Sequence, residues 1–286
     1  MQTQQRGSAW SIKLVFRLYQ IFGYTFIYYL MYPVTFFYFL FAHNVKRSLK
    51  IYYAHVGIPF TLGTYFTHLR IFAVCLVDRF ISRINPNIYR YSYSNYEELN
   101  TLLEEGGILL MSHYGGWAVS SNSAHTNNKI HIVMKEVILE GIKKIENSLM
   151  PSKQNITVID LANSDLSVSI QIANALLEKE LVAIMADRIN HDKYKVALPF
   201  LGQMAYFNKN PFQIAYSSQK NLIAFFVVFT QMNTYKVIHK KIILDFSLSK
   251  EDAIKKAMQE YVFLYETLLQ EHPLQWFNFY NFWEKK

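Results

Sequence analysis

One histidine stands where acid–base chemistry could happen. In GGILLMSHYGGWAVSSN, Gly106 to Asn122, a short apolar run predicts a strand ending at Met111. His113 follows at the strand's carboxyl end, then Gly115-Gly116 and a helical run over Val119–His125. Sites in open α/β sheets gather outside the carboxyl ends of strands. An imidazole near neutral pH can take the proton that an attacking group must shed. The two glycines let a backbone or substrate come close. N–H groups at a helix start beyond them would suit an oxyanion. A lone histidine is more often structural; its place just before Gly-Gly is what raises this one. Such a base needs a carboxylate on its other ring nitrogen, which fixes the tautomer and stabilises the imidazolium. Asp187, after LVAIMA, and Asp160, after VI, both end predicted strands. Asp187 is followed by Arg188, whose planar fork suits phosphate or carboxylate. The plainer reading of that couple is a structural pair closing a loop, because buried charges need partners. Ser120, Ser121 and Asn122 are neutral alternatives as His113 partners.

The elements that must position these groups read as an α/β domain over residues 96–286. Short apolar runs at Ile108–Met111, Ile130–Met134, Ile156–Ile159, Leu181–Met185, Leu222–Phe229 and Tyr235–Leu244 predict strands. Amphipathic stretches lie between most of them, at Glu97–Glu105, Val137–Ser148, Leu166–Glu178 and Asn210–Gln219, and Glu251–Gln270 is a final helix. Alternation of this kind implies a largely parallel sheet with flanking helices. The last two strands, separated by QMNT, suit a hairpin. Residues 51–95 read as a helical connector, closed by Asn85-Pro86-Asn87.

The first 50 residues differ in kind. Tyr19 to Ala42, YQIFGYTFIYYLMYPVTFFYFLFA, carries no charge, with Lys13 and Arg17 before it and Lys46, Arg47 and Lys50 after it. Its length permits a membrane crossing. Pro33 predicts a kink, and positive charge on both flanks does not fit a simple span. The reading is an aromatic membrane-anchor helix, inserted or re-entrant; the alternative is a buried helix of a soluble body. Residues 1–96 hold ten Lys/Arg and one acid, Asp78, or +9, whereas residues 97–286 hold nineteen Lys/Arg and twenty acids, or −1. Basic residues flanking an apolar run point to an anionic membrane surface rather than to nucleic acid.

Composition excludes other classes. Apolar residues are 51% and charged residues 17%, which rules out intrinsic disorder. A single cysteine, Cys75, rules out an intrachain disulfide framework, and its apolar surroundings make it a poor nucleophile. The histidines show no metal-ligand spacing. A hydrolase would need a G-x-S-x-G elbow, which is absent. Lys135-Glu136 and Lys143-Lys144 read as a solvated helix face, Lys209 as an exposed cation, and Trp276 to Trp283 as core packing with a rim role.

With these passages in hand the sequence resembles the bacterial lipid A biosynthesis acyltransferase family, within the lysophospholipid acyltransferase superfamily. It is most similar to a branch of predicted acyltransferases. The likeness rests on FRLYQIFGYTFIYYLMYPVTFFYFLFAHNVKRSLKIYY, on ILLMSHYGGWA, on LVAIMADRINHDKYKVALPFLGQMAYFNKNPFQIA and on PLQWFNFYNFW, in that order. It implies a glycerolipid acyltransferase-like fold at residues 96–286, an anchor at 1–50, and acyl transfer without a resident cofactor or metal. The implied donor is acyl carrier protein or acyl-CoA, the acceptor a hydroxyl or amine of a membrane lipid, and the place the cytoplasmic face of the bacterial inner membrane. His113 matches the family's base. Gly115, Gly116, Trp117, Arg188, Pro199, Phe200 and Gly202 fall on its substrate-contacting passages. The family carries an acid five positions after the histidine, where this chain has Ala118. Two expectations follow: another acid, Asp187 first, takes that place, or the chain is a non-catalytic acyl- or lipid-binding homologue.

Overall fold

The computed structural model describes residues 9–117, 119–124, 126–135, 155–189 and 191–284. Three helices come first: α1 (Ala9–Phe41), α2 (His43–Val56) and α3 (Leu62–Ile84). The break in α1 falls at Gly23, whose φ of 74° leaves the helical region, while helical dihedrals run on through Pro33. The kink expected at the proline is therefore at the glycine, which enters positive φ without a Cβ penalty. Residues 43–95 are not all helical. After α3 a short strand, β1 (Arg90–Tyr93), joins the edge of the main sheet.

The rest alternates as the pattern predicts. In order come α4 (Tyr96–Glu105), β2 (Gly107–Met111), the four-residue helix α5 (Ser120–Ser123), β3 (Ile130–Met134) and β4 (Ile156–Asp160). Then follow α6 (Asp165–Leu177), β5 (Leu181–Met185), a hairpin of β6 (Lys195–Phe200) and β7 (Gln203–Asn208), and α7 (Asn210–Ser218). β8 (Asn221–Gln231), β9 (Thr234–Ile242) and α8 (Lys250–Glu271) follow, and the chain then runs on through a short turn at Pro273–Gln275. The seven-stranded sheet runs β1-β9-β8-β2-β5-β3-β4. Only β8 and β9 pair antiparallel, as the hairpin across QMNT requires; every other neighbouring pair is parallel. The segment Val137–Ser148 lies outside the described residues.

Period-two alternation along β2 explains why both faces are covered. Ile108 and Leu110 enter one core with Phe226, Tyr261 and Tyr265, beneath α8. Leu109 and Met111 enter the other, which also takes Ile27 and Met31 of α1 and Val74 of α3. Thus α1 seals one face of the sheet with a stripe at Ile27, Met31 and Thr35, spaced as an i, i+4 row. Its remaining face is apolar and open: Trp10, Ile21 and Phe41 are 70%, 70% and 72% exposed. Among the described residues one helix, Ile12–Phe41, is long and apolar enough to cross a membrane, with 17% of its apolar window buried.

Asp78 ties this cover together. The carboxylate is buried and accepts hydroxyl hydrogen bonds from Tyr24 of α1 at 2.8 Å, Tyr89 at 2.9 Å and Tyr235 of β9. Burial raises its pKa and the three hydroxyls pull it partly back, leaving it at about 6. The lone acid of the first 96 residues is thus a structural clasp between α1, α3 and the sheet. Cys75, one turn earlier, is buried, and burial pushes its thiol up, so it has no thiolate to offer.

Candidate active site

Register brings the two leading residues together. β2 lies beside β5 in parallel, with Met111 opposite Met185, and the Ala186 N–H continues the ladder to the Met111 carbonyl at 2.9 Å. Two residues beyond the paired methionines stand His113 and Asp187, at the same height on the same sheet edge. The His113 ring Nδ1 is 3.0 Å from Asp187 Oδ1, and the His113 backbone N–H donates to Oδ2 at 2.9 Å. One carboxylate therefore fixes both the ring and the main chain of the histidine. The Asp187 side chain is fully buried, while the His113 side chain keeps 20% exposure. With Nδ1 held by the acid, Nε2 is the nitrogen left to face a substrate. Burial alone would raise the Asp187 pKa. The charge and hydrogen bonds of His113, and the charge of Arg188, outweigh it and hold the carboxyl below its ordinary value.

The loop after His113 is clamped from behind. The Gly115 N–H donates to the Gln275 carbonyl at 2.8 Å and the Gly116 N–H to the Val227 carbonyl at 2.6 Å. These two donors are therefore engaged within the fold, and the helix beyond them is only α5. Neither glycine N–H is free for an oxyanion, and the helix start expected to offer such groups includes Ala118, which lies outside the described residues. The glycines serve close packing instead. Gly115 has φ of +54°, and a Cβ there would meet the Val227 carbonyl oxygen at 2.2 Å; at Gly116 it would meet the Tyr235 ring at 2.5 Å. Trp117 remains beside the base, its ring 5.7 Å from that of His113. The C-terminal aromatic passage supplies the back wall. Phe277 N–H donates to the His113 carbonyl at 2.9 Å, Arg188 Nη2 donates to the Phe277 carbonyl at 3.2 Å, and the Gln275 side chain brackets both backbone groups of Phe229.

The chain matches the family described as bacterial lipid A biosynthesis acyltransferase over residues 87–285, more than two thirds of its length. It belongs to that family. The protein is accordingly an acyltransferase enzyme of lipid A type, with an acyl donor and a lipid acceptor. No curated protein matches the chain.

Within this lipid A-type acyltransferase the other sequence candidates separate. Arg188 lies over the Tyr280 ring at 5.7 Å, and its Nε is buried with no hydrogen-bond partner among the described residues. No ion pair among those residues joins it to Asp187, so the simple loop-closing pair is not what holds Asp187 in place; His113 is. Phe200 is fully buried in the aromatic core against Phe207, Tyr265 and Trp276. Pro199 and Gly202 are exposed at the hairpin turn. The opposite end of that hairpin, at Asn208, meets the Ala186 carbonyl. Phe200, at the turn end, packs on Trp276, which bridges to Tyr114 beside His113. No contact among the described residues joins Pro199, Phe200 or Gly202 directly to His113. Asp160 ends β4, three strands or about 14 Å from β2, which removes it as a His113 partner. Ser120 Oγ turns back to the Trp117 carbonyl at 2.7 Å. Ala118, Glu136, Lys143, Lys144 and the side chains of Ser121 and Asn122 lie outside the described residues.

Three contributors have little sequence signature. Tyr261 and Tyr265, one turn apart on α8, are buried, and their hydroxyls are pushed up by burial and then by the charge of Asp187. Spacing by four on an amphipathic helix identifies them only as core. Gln275 could have been marked as the one amide ahead of an aromatic run, but nothing local says which backbone it brackets.

Proposed function

We propose that this enzyme moves a fatty acyl group from acyl carrier protein or acyl-CoA to a hydroxyl or amine of a membrane lipid, on the cytoplasmic face of the bacterial inner membrane. His113 is the general base and Asp187 its orienting acid. The acceptor hydroxyl attacks the thioester carbonyl carbon as its proton passes to His113 Nε2. The tetrahedral intermediate collapses, the carbon–sulfur bond breaks, and the imidazolium returns the proton to the leaving thiolate. Asp187 stays ionised throughout and steadies the imidazolium. Arg188, whose buried Nε has no hydrogen-bond partner among the described residues, offers its charge to the developing oxyanion or to an anionic group of either substrate. That role is open to it because the Gly115 and Gly116 N–H groups are engaged elsewhere. Gly115 and Gly116 shape the floor on which substrate rests, and Trp117 flanks the base as an apolar wall. The α1 face seats the body in the bilayer interface, so that a soluble donor and a lipid acceptor meet at one edge.

The observation that carries this reading is the carboxylate from β5 lying 3.0 Å from the His113 ring. It supports a working base despite Ala118, and it weighs against the non-catalytic homologue. Lipid mass spectrometry of cells with and without the gene tests it. We expect one lipid class to lose a single acyl chain in the deletion and regain it with the wild-type gene but not with His113→Ala. An unchanged lipid profile, or equal rescue by His113→Ala, would contradict the reading.

A further inference from the structure

We infer that the seam between α1 and α3 binds the phosphate of an anionic bilayer lipid, with Arg70 as its cation. The inference rests on the reading of α1 as the membrane-seated face. Arg70 projects from α3 to the aromatic rings of α1, its guanidinium carbon 4.0 Å from the Tyr32 centroid and 4.5 Å from that of Tyr28. Both rings meet the cation through their faces, which offer no acceptor to its N–H groups. Nε and Nη2 are buried and make no hydrogen bond among the described residues. Arg70 is half-buried and the two ring faces carry part of its charge, but no anion among the described residues pairs with it, which leaves room for a counter-ion from outside the fold.

No ion pair among the described residues involves Arg70. Asp78 is the sole acid of the first 96 residues, and three tyrosine hydroxyls occupy it. The surroundings say where a counter-ion would come from. Tyr29, Tyr32 and Phe36, on the same stretch of α1, are 59%, 42% and 52% exposed, an apolar and interfacial surface around the cation. Tyrosines of this kind sit at headgroup depth. A guanidinium held there over two ring faces is pre-oriented, and Nη1, the nitrogen outside the buried set, can offer its N–H groups to phosphate oxygens. A soluble anion would have to reach a cation framed by apolar rings. A lipid phosphate arrives with an acyl body that those rings can cover.

Flotation of the purified full chain with vesicles tests this, using phosphatidylcholine alone and phosphatidylcholine with phosphatidylglycerol. At about 0.5 M salt, long-range attraction between exposed charges is largely screened. There the wild type is expected to favour the anionic vesicles, and Arg70→Gln to lose about tenfold of that preference with neutral-vesicle binding unchanged. Lys13→Gln removes an exposed charge of α1 and is expected to change the preference less than about twofold under the same screening. Arg70→Lys keeps the cation over the rings but not the fork, and is expected to fall between wild type and Arg70→Gln; it decides the question if Arg70→Gln does not fold. Wild-type preference in both Arg70 variants would overturn the inference. So would loss of the preference on adding inorganic phosphate at matched ionic strength, which would mark the ligand as free anion. A wild type that floats with neither vesicle would overturn the membrane reading of α1 and this inference with it.

Discussion

His113→Ala is expected to lower acyl transfer by about 10²–10⁴-fold, the usual contribution of a positioned general base, in a variant that still folds but melts lower because buried Asp187 loses its partner. The side chain is partly exposed and makes its polar contact with Asp187 alone among the described partners, so its removal opens no apolar cavity. The main-chain bonds that hold the loop use the His113 backbone, its N–H to Asp187 and its carbonyl to Phe277, and survive the substitution. Initial rates of acyl transfer, measured beside a melting curve, check this. Wild-type turnover in the folded variant would remove His113 from the chemistry.

Asp187→Asn should lose about as much, and for a different reason. Asp187 presents acceptors to two donors of one residue, the ring Nδ1–H and the backbone N–H of His113. An amide has one oxygen. It can satisfy the backbone and turn its NH₂ to the ring, which drives the proton onto Nε2 and abolishes the base, or it can serve the ring and leave the backbone N–H facing a donor. Either way the imidazolium loses its counter-charge, and the expected drop is about 10²–10⁴-fold. A modest loss of stability should accompany it, about 1.5–3 kcal/mol for bonds to a charged group. The pH dependence has a definite sign. The folded carboxyl lies below its unfolded value, so its stabilisation is complete above the ordinary carboxylate range and fades as pH falls through the depressed folded value. Melting curves of wild type between neutral and acidic pH should show that loss, and the Asn variant should lack this component. A variant that melts early but turns over at the wild-type rate would make Asp187 structural only.

The sheet edge was legible because strand signals are local. LVAIM and ILLM announce parallel neighbours, and an acid and a histidine two residues past each end must then meet if the strands are adjacent and in register. Adjacency itself is not written in either run; it comes from the order β8-β2-β5, which non-local pairing decides. The same limit explains the misplaced features. Pro33 carries a general rule against helix interiors, yet the helix breaks at Gly23, where φ is positive. Gly115 and Gly116 announce close approach, but only the fold says that the approaching groups are Val227, Gln275 and Tyr235 rather than substrate. Arg90–Tyr93 is too short and too polar to declare itself a strand, and forms one because β9 offers it an edge. The three tyrosines on Asp78 come from positions 24, 89 and 235, a separation that no spacing rule spans.

A double-substitution cycle on His113 and Asp187, read as the rate of labelled acyl transfer from a thioester donor to a membrane-lipid extract, tests the central claim most directly. Groups that act as one unit lose their effect together. The pair predicts that Asp187→Asn costs nothing further once His113 is alanine, so the double variant matches His113→Ala alone. Losses that multiply, each substitution slowing transfer by its full factor in the background of the other, would contradict it.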